Sequence, residues 1–451
     1  MLPAGSLLDT PASTAPDAEW AAAARNALQQ ADARLHRRFD QGDRIERLLA
    51  LRARAADHLI RLAWQRCMPP GDALSLFAVG GYGRGELFPH SDIDVLVLGE
   101  TAAQQDAEAG LSRLFALLWD CGLPVSHAVR SLQQCRDAAA DQTVLTALIE
   151  ARGVVAPEGA RRALRQATED GALWPARTFF QAKLDEMRAR HARFGDTADN
   201  LEPDLKDGPG GLRDLNTLGW MALRAFGVRE LEALVGLGHL GADEAAALHR
   251  ERGVLAGLRY GLHLVAGRPE ERLRFDYQKT LAARLGFEDD LESLGVEKMM
   301  QGFYRAASVV RRISDRLLQR FEEQFDGEAL PEPLTVGFSL RRGYLAANDA
   351  GWPHDDIGEV FALFSSWANN PQVRGLHSLT ARALAESLPQ LPDVANATLH
   401  ARQQFLSLLR QPRPVDTLSR MARLGVLGQW VPAFAQVSGR MQFDLFHVYT
   451  V

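Results

Sequence analysis

The sequence predicts an α+β fold, with a small sheet near the N-terminus followed by mostly helical domains. Two short apolar segments, "LSLFAV" at 74–79 and "IDVLVL" at 93–98, are typical of buried strands, and a turn of Gly, Pro, His and Ser separates them. Apolar residues recur at helical spacing over residues 20–67 and over most of residues 141–330. With 451 residues, 46% of them hydrophobic, the chain can bury the cores of two or three domains.

A first domain is predicted over residues 21–140. Behind the two strands, residues 103–119 show helical periodicity and end near "DCGLP". The segment "PVSHAVRS" at 124–131 is predicted to form a third strand. The 20 residues before this domain lack a basic segment followed by an apolar one, so they predict a disordered leader and not a signal peptide.

Two further regions are predicted after residue 140. Residues 141–330 are predicted to be helical, with one interruption, "NLEPDLKDGPGGLRDLN", at 200–216. Residues 331–451 begin within the Pro/Glu-rich break "DGEALPEPLTVG", and the segment "PLTVGFSLRRGYLA" predicts a small hairpin before further helices. The chain ends on the apolar run "MQFDLFHVYTV", which indicates a polypeptide that is cut inside a domain.

Composition and charge argue against several classes of protein. The net charge is −6, so the chain lacks the basic surface that a general nucleic-acid binder needs. Its longest apolar runs are far too short to span a bilayer, so we predict no membrane partner and a cytoplasmic protein. The three cysteines have neither CxxC nor zinc-site spacing and are predicted to be buried free thiols.

The chemistry is predicted to lie in residues 78–98, "AVGGYGRGELFPHSDIDVLVL". Asp92 and Asp94 are two residues apart on a predicted strand, so both carboxylates point to the same face. Such a pair repels itself in water and is tolerated when a hard cation such as Mg²⁺ lies between the carboxylates. A bare Asp-x-Asp is a weak signal, because it usually marks a solvated turn.

The residues before the aspartates are suited to a phosphate chain. Gly80 and Gly81 follow a strand and let a ligand approach the backbone closely. A helix that begins just after the two glycines would hold an anion with its free N–H groups, while Arg84 and Ser91 add a guanidinium and a hydroxyl. The segment fits neither the P-loop nor the Rossmann pattern, and its combination of groups is what nucleotidyl transfer needs.

The full pattern resembles that of the nucleotidyltransferase superfamily that includes DNA polymerase β. It consists of Gly80-Gly81, ten residues, and then Asp92-Ile93-Asp94 between apolar residues. A narrower resemblance covers nearly the whole chain after residue 20. The segments "GGYGRGELFPHSDIDVLVL", "LLWDCGLPVSHAVRSLQQC", "NLEPDLKDGPGGLRDL" and "MQFDLFHVYTV" are similar, in this order, to the bacterial bifunctional PII uridylyltransferase/uridylyl-removing enzymes, the GlnD family.

The resemblance implies a polymerase β-like nucleotidyltransferase domain that moves UMP from UTP to a tyrosine of the PII signalling protein and releases pyrophosphate. It implies that Asp92 and Asp94 are catalytic and hold Mg²⁺, and that Gly80 and Gly81 hold the triphosphate. Arg84 and Ser91 are implied phosphate contacts. The helical region over 141–330 is the implied binding region for substrate and nucleotide.

The chain departs from the superfamily pattern at the third carboxylate, which a later strand usually carries. The predicted third strand has no acid, and His127 occupies the expected position. His127 is either a substitute ligand or proton acceptor, or else a hydrogen-bonded core histidine. Glu86 either belongs to the site or caps a helix near Gly85. In the interruption at 200–216, Lys206 and Arg213 bind the nucleotide or PII, or the segment is only a helix-entry turn.

The family resemblance also implies an HD phosphohydrolase site that removes UMP, and two ACT domains that sense glutamine. His447 matches the first HD histidine, and the remaining ligands do not follow within the chain. Uridylyl removal and glutamine sensing are therefore expected to be lost in this polypeptide.

Two alternatives stay open at this point. One is a nucleotidyltransferase with another acceptor, such as an adenylyltransferase, because the glycine and aspartate residues do not reveal the base. The other is a catalytically inactive regulatory module that binds nucleotide and lost turnover together with the third carboxylate.

Overall fold

A four-stranded mixed sheet forms the centre of the first domain. The computed structural model describes residues 14–71, 73–169, 171, 173–327 and 329–440. The strands are β1 (Leu74–Ala78), β2 (Ile93–Gly99), β3 (Val125–Arg130) and β4 (Arg152–Val155). They lie in the order β3-β2-β1-β4, with β2 and β3 parallel and the other pairs antiparallel. The three predicted strands are confirmed, whereas β4 lies beyond the predicted domain end at residue 140.

In the described part of the chain, eight helices surround this sheet. They are α1 (Asp17–Asp40), α2 (Ile45–Cys67), α3 (Gly80–Gly83), α4 (Thr101–Asp106), α5 (Glu108–Asp120), α6 (Leu132–Ala138), α7 (Gln142–Ile149) and α8 (Glu158–Glu169). Helix α1 begins inside the predicted leader, and Trp20 is buried, so the prediction of disorder over residues 1–20 is wrong for its last residues. Residues 1–13 lie outside the described part of the chain.

Both faces of the sheet are covered, which explains the unbroken apolar run in β2. Ile93, Val95 and Val97 pack with α1, α2 and α5 on one face. Leu96 and Leu98 pack with α6, α7 and α8 on the other. A central strand with two buried faces needs apolar residues at every position and not at alternate ones.

The second region contains the interruption at 200–216 among long helices. The helices are α9 (Ala176–Ala192), α10 (Leu212–Phe226), α11 (Ala233–Gly236), α12 (Ala242–Ala266), α13 (Phe275–Arg284) and α14 (Gly295–Asp326). Gly210 adopts a φ of +76°, and a Cβ there would lie 2.3 Å from the carbonyl oxygen of Ala307 on α14. The Pro-Gly-Gly turn therefore packs directly against α14, and only glycine fits.

Asp214 ties this turn to α9. It is 1% exposed, and its carboxylate accepts hydrogen bonds from the Gly210 N–H at 2.7 Å and from Arg190 at 2.6 Å. His191 lies 2.9 Å from the same carboxylate. A buried charge held by this many partners fixes the path of the segment that carries Lys206.

The third unit has its own sheet and its own core. Its strands are β5 (Glu332–Thr335), β6 (Phe338–Arg341), β7 (Tyr344–Ala347) and β8 (Gly375–Leu376). Its helices are α15 (Ile357–Ala368), α16 (Ser378–Ser387), α17 (Leu399–Leu408), α18 (Pro414–Arg423), α19 (Val426–Trp430) and α20 (Pro432–Val437). The predicted hairpin is present as part of this sheet, and Phe361, Phe364 and Trp430 are fully buried behind it. Within the described residues, no helix is both long enough and apolar enough to cross a membrane.

Candidate active site

Two carboxylates lie where β2 begins. Asp94 is the second residue of β2, and its carbonyl oxygen accepts the N–H of Val79 at 3.0 Å, which joins the start of β2 to the end of β1. Asp92 is exposed and Asp94 is half-buried. Burial and the neighbouring charge of Asp92 raise the pKa of Asp94, whereas Lys206 opposes this shift. The charge of Asp92 therefore disfavours the ionised form of Asp94. The charge of Lys206, from the turn before α10, favours that form.

A glycine faces this carboxylate. Gly80 adopts a φ of +58°, and a Cβ there would lie 3.3 Å from Asp94 Oδ2. Gly80 and Gly81 open the four-residue helix α3, whose first N–H groups have no acceptor within the helix. The predicted helix start after β1 is thus present, with the glycines inside the helix. The absent side chain lets the turn lie this close to the Asp94 carboxylate.

The residues of α3, Gly80–Gly83, form the glycine turn, which is held in place by hydrogen bonds from Arg152 of β4. Arg152 donates to the two Asp57 oxygens at 2.7 and 3.0 Å and to the carbonyl oxygens of Tyr82 and Gly83 at 3.2 and 3.3 Å. The Tyr82 hydroxyl donates to Asp57 at 2.6 Å. Asp57 belongs to α2 and is 5% exposed. Helix α2, strand β4 and the turn therefore share one buried hydrogen-bonded centre.

Arg84 is held in an ion-pair network and is not free to bind phosphate with its whole guanidinium. Its Nε lies 2.8 Å from Glu86, and its Nη1 lies 2.6 Å from Glu150 at the end of α7. Glu86 also pairs with Arg252 of α12, and Glu150 accepts the indole N–H of Trp220 of α10. Arg84 Nη2 faces the turn, 3.6 Å from where a Gly81 Cβ would lie.

This network gives Glu86 a role that neither predicted interpretation describes. Burial raises the pKa of Glu86, but Arg252 and Arg84 lower it overall, to about 2. Glu86 is therefore a structural anion that joins the glycine turn to the helical region. It does not cap a helix.

His127 lies on the wrong face of the sheet for a role beside Asp94. In the register of β2 and β3, Ser126 pairs with Asp94 and His127 pairs with Val95. Neighbouring strand residues point to opposite faces, so His127 points away from Asp94. It is exposed, and its ring stacks on Phe115 of α5 with centroids 3.7 Å apart. His127 is thus neither a ligand beside Asp94 nor a core histidine.

Of the remaining predicted residues, Lys206 influences Asp94, Arg213 has partners elsewhere, and Ser91 lies beside Asp92. Lys206 acts on Asp94, and its Nζ lies 3.7 Å from Glu271. Arg213 instead lies 3.3 Å from Asp207 and over the ring of Trp220. Ser91 is half-buried directly before Asp92, with its N–H on the carbonyl oxygen of Phe88 at 3.1 Å. His447 lies outside the described residues.

Comparison with known proteins decides the family. Residues 22–134 match the nucleotidyltransferase model DUF294, residues 178–318 match "GlnD PII-uridylyltransferase", and residues 338–430 match "Uridylyltransferase GlnD third domain". The chain is 72% identical over 99% of its length to the bifunctional uridylyltransferase/uridylyl-removing enzyme of Xanthomonas euvesicatoria pv. vesicatoria, of which it covers 52%. The enzyme of the same name from Azotobacter vinelandii is 41% identical over 95% of the chain, which covers 48% of that relative.

The chain belongs to the GlnD family. It spans about half the length of the curated relatives it matches. The first match confirms a nucleotidyltransferase-type domain in front of helical regions. The third match falls within residues 331–451, where a linker hairpin and the start of an HD domain are predicted.

The site of this GlnD-family chain fits a divalent metal, which nucleotidyltransferases generally use. Carboxylate oxygens are the ligands that hard cations prefer, and a cation would relieve the repulsion that raises the pKa of Asp94. Asp92 is exposed and Asp94 is only half-buried, so the pair is not sealed in the core. Across the described part of the chain, no group of three or more His, Cys, Asp or Glu side chains is arranged to hold a metal. Asp92 and Asp94 would therefore have to share the metal with substrate oxygens and water.

The sequence interpretation missed the supports of the site in this GlnD-family chain. These are Asp57, Glu150, Arg152, Trp220 and Arg252. One signal was present, because Asp57 interrupts the apolar face of α2 directly after Ala56 and two residues before Leu59. An acid at a core position indicates a buried partner. The other four are far away in sequence, and no local pattern marks them.

Proposed function

We propose that the chain transfers UMP from UTP to a tyrosine hydroxyl of a PII signalling protein in the cytoplasm. The observation that carries nucleotidyl transfer is the approach of the side-chain-free Gly80 to Asp94, which brings the N–H groups at the start of α3 next to a carboxylate pair. UTP and PII are supported by the names of the matching family model and relatives. In the reaction, the tyrosine oxygen bonds to the α-phosphorus, the bond from that phosphorus to the bridging oxygen breaks, and pyrophosphate leaves.

Asp92 and Asp94 would hold the metal, for which Mg²⁺ is the best candidate. When bound, Mg²⁺ would orient the triphosphate, lower the pKa of the attacking hydroxyl and neutralise charge on the leaving pyrophosphate. A tyrosine hydroxyl has a pKa of about 10, so it needs such help near neutral pH.

The chain's own residues would position the phosphates. The first N–H groups of α3, at Gly80 and Gly81, would donate to phosphate oxygens. Arg84 would add its Nη2 edge, and the Ser91 hydroxyl would add a further donor. Lys206 would supply positive charge opposite Asp94 from the helical region, so that the nucleotide lies between the two domains.

The test is transfer from labelled UTP to purified PII with Mg²⁺, using the wild-type chain and the Asp92→Asn/Asp94→Asn variant. We expect label on PII from the wild type and a loss of at least about a thousandfold in the variant, in line with removing a metal site. Asp120→Asn/Asp137→Asn is the matched control, because both residues are exposed and lie outside the site.

Two results would contradict the proposal. Faster transfer from ATP, or to another acceptor, would identify a nucleotidyltransferase of different substrate class. A folded wild-type chain that binds UTP without releasing pyrophosphate would identify a nucleotide-binding module.

A further inference from the structure

A second cleft lies between the helical region and the third unit, apart from the candidate active site. Its volume is about 670 Å³, within the range of small-molecule sites. Helices α9 and α14 form one wall. The other wall comes from the third unit, including β7, the end of α15 and the end of α18. A ligand here would contact two regions that match different GlnD domain models.

The cleft is rich in arginine although the whole chain is acidic. Among the described residues, its lining contains seven arginines and four carboxylates. Arg311 is paired with Asp196 at 2.9 Å, and Arg316 is paired with Glu244. Four arginines have no carboxylate within 4 Å in the described part of the chain: Arg312, Arg374, Arg420 and Arg423.

Two of these arginines are held in place by aromatic rings. The guanidinium of Arg420 lies 4.6 Å from the centroid of Trp367, and that of Arg374 lies 5.1 Å from the centroid of Tyr344. The indole N–H of Trp367 is itself fixed by the carbonyl oxygen of Val373 at 3.3 Å. Stacking on a ring engages the face of a guanidinium and leaves its N–H edge for an anion.

The other two arginines, Arg312 and Arg423, line the cleft from opposite walls. Arg312 of α14 brings its Nη1 to within 3.5 Å of the Cβ position of Gly425, which lies two residues after Arg423. Burial and the charge of Arg423 lower the pKa of Arg420, which Asp416 only partly offsets. Burial also lowers the pKa of Arg312, against the opposing charge of Glu244. Arg420 and Arg423 repel each other, and an anion bound between them would relieve that repulsion.

We infer that this cleft is a second anion site that binds a phosphorylated small molecule through Arg312, Arg374, Arg420 and Arg423. Phosphate suits the site because planar guanidinium edges match its oxygens in pairs. A small molecule suits it better than an acidic protein segment, because the cleft is concave and bounded on both sides. The inference is independent of the proposed transfer reaction.

The experiment is calorimetric titration of the metal-free chain with inorganic tripolyphosphate, and separately with UTP. The test variant is Arg312→Gln/Arg423→Gln. The matched control is Arg305→Gln/Arg410→Gln, which removes the same charge from exposed arginines outside the cleft. We expect the test variant to bind at least about tenfold more weakly than the wild type and the control, since each lost contact is a charge-assisted hydrogen bond. Tripolyphosphate should also raise the melting temperature of the wild type and not that of the test variant.

The outcomes separate the sources of the anion and the competing sites. Cleft-dependent binding of UTP that is tighter than that of tripolyphosphate would support the inference with a nucleotide as ligand. Equal binding of tripolyphosphate and UTP would support it with a phosphate chain as the recognised group. Equal affinity of the wild type, the test variant and the control for tripolyphosphate would overturn the inference. The same titration of Lys206→Gln would overturn it if this variant alone lost binding, because the anion would then bind at the candidate active site. Titration with hexaglutamate would overturn it if this peptide bound through the cleft arginines and tripolyphosphate did not.

Discussion

Arg152 on β4 and Asp57 on α2 form a bidentate ion pair beneath the glycine turn, with N–O distances of 2.7 and 3.0 Å. The same guanidinium donates to the carbonyl oxygens of Tyr82 and Gly83. One side chain thus connects an N-terminal helix, the last strand of the sheet and the turn that faces Asp94. The position of the turn depends on residues that would not touch a nucleotide.

Replacing Arg152 should therefore destabilise the fold more than replacing another arginine of the same cluster. In Arg152→Gln, Asp57 remains buried without its bidentate partner, and we expect a loss of about 3 kcal/mol in the free energy of unfolding. Arg61→Gln is the control, because Arg61 lies 3.6 Å from the same carboxylate and is 45% exposed. Its loss should be about 1 kcal/mol or less. If both variants lost the same free energy of unfolding in urea, the bidentate pair would stabilise the fold no more than the exposed one.

Gly80→Ala should lower both the free energy of unfolding and the rate of UMP transfer, for different reasons. A left-handed φ costs a non-glycine residue about 1–2 kcal/mol, and the new Cβ would also lie 3.3 Å from Asp94 Oδ2. Gly85→Ala is the matched control, since Gly85 has a φ of +74° and open space around its Cβ position. Both variants should lose similar stability in urea unfolding. Only Gly80→Ala should lose UMP transfer, by about a hundredfold. Similar transfer rates of the two variants would mean that the close approach of Gly80 to Asp94 is not needed for UMP transfer.

The contrast between these two features shows what the sequence could predict. The strands, the glycine turn and the carboxylate pair are marked by local patterns within residues 74–98, and the structure contains all three elements. A left-handed glycine and an apolar strand are constraints on neighbouring residues, so they are visible in the chain itself.

The supports and the face of each side chain depend on distant pairing. Arg84 and Glu150 are 66 residues apart, and Glu86 and Arg252 are 166 apart. His127 was predicted near Asp94, but a register that pairs it with Val95 sends it to the opposite face. A shift of one residue reverses every side chain of a strand, and periodicity within one strand cannot fix that shift.

The ion pairs of Glu86 should make stability depend on pH in the acid range. The folded-state pKa of Glu86 is lowered from 4.5 to about 2, so its contribution is fully present above about pH 5 and is lost as the pH falls towards 2. The contribution is on the order of 3 kcal/mol at neutral pH. Urea unfolding between pH 7 and pH 2.5 should show a steeper decline for the wild type than for Glu86→Gln. The control Glu100→Gln, at an exposed carboxylate, should follow the wild type. Parallel curves for wild type and Glu86→Gln would contradict the assignment.

Lys206 and Arg213 lie in the same turn and should differ in their effect on UTP. Lys206 acts on Asp94, whereas Arg213 is directed to Asp207 and Trp220. Lys206→Gln should raise the KM for UTP about tenfold, because one charge-assisted phosphate contact is lost. Arg213→Gln, which removes the same charge from the same segment, should leave that KM within about twofold. The KM for PII, measured in the same transfer assay, separates nucleotide binding from acceptor binding. If Lys206→Gln raised only the KM for PII, Lys206 would belong to the surface that binds the acceptor and not to the nucleotide site. Equal increases of the KM for UTP in both variants would show that only the net positive charge of the turn matters.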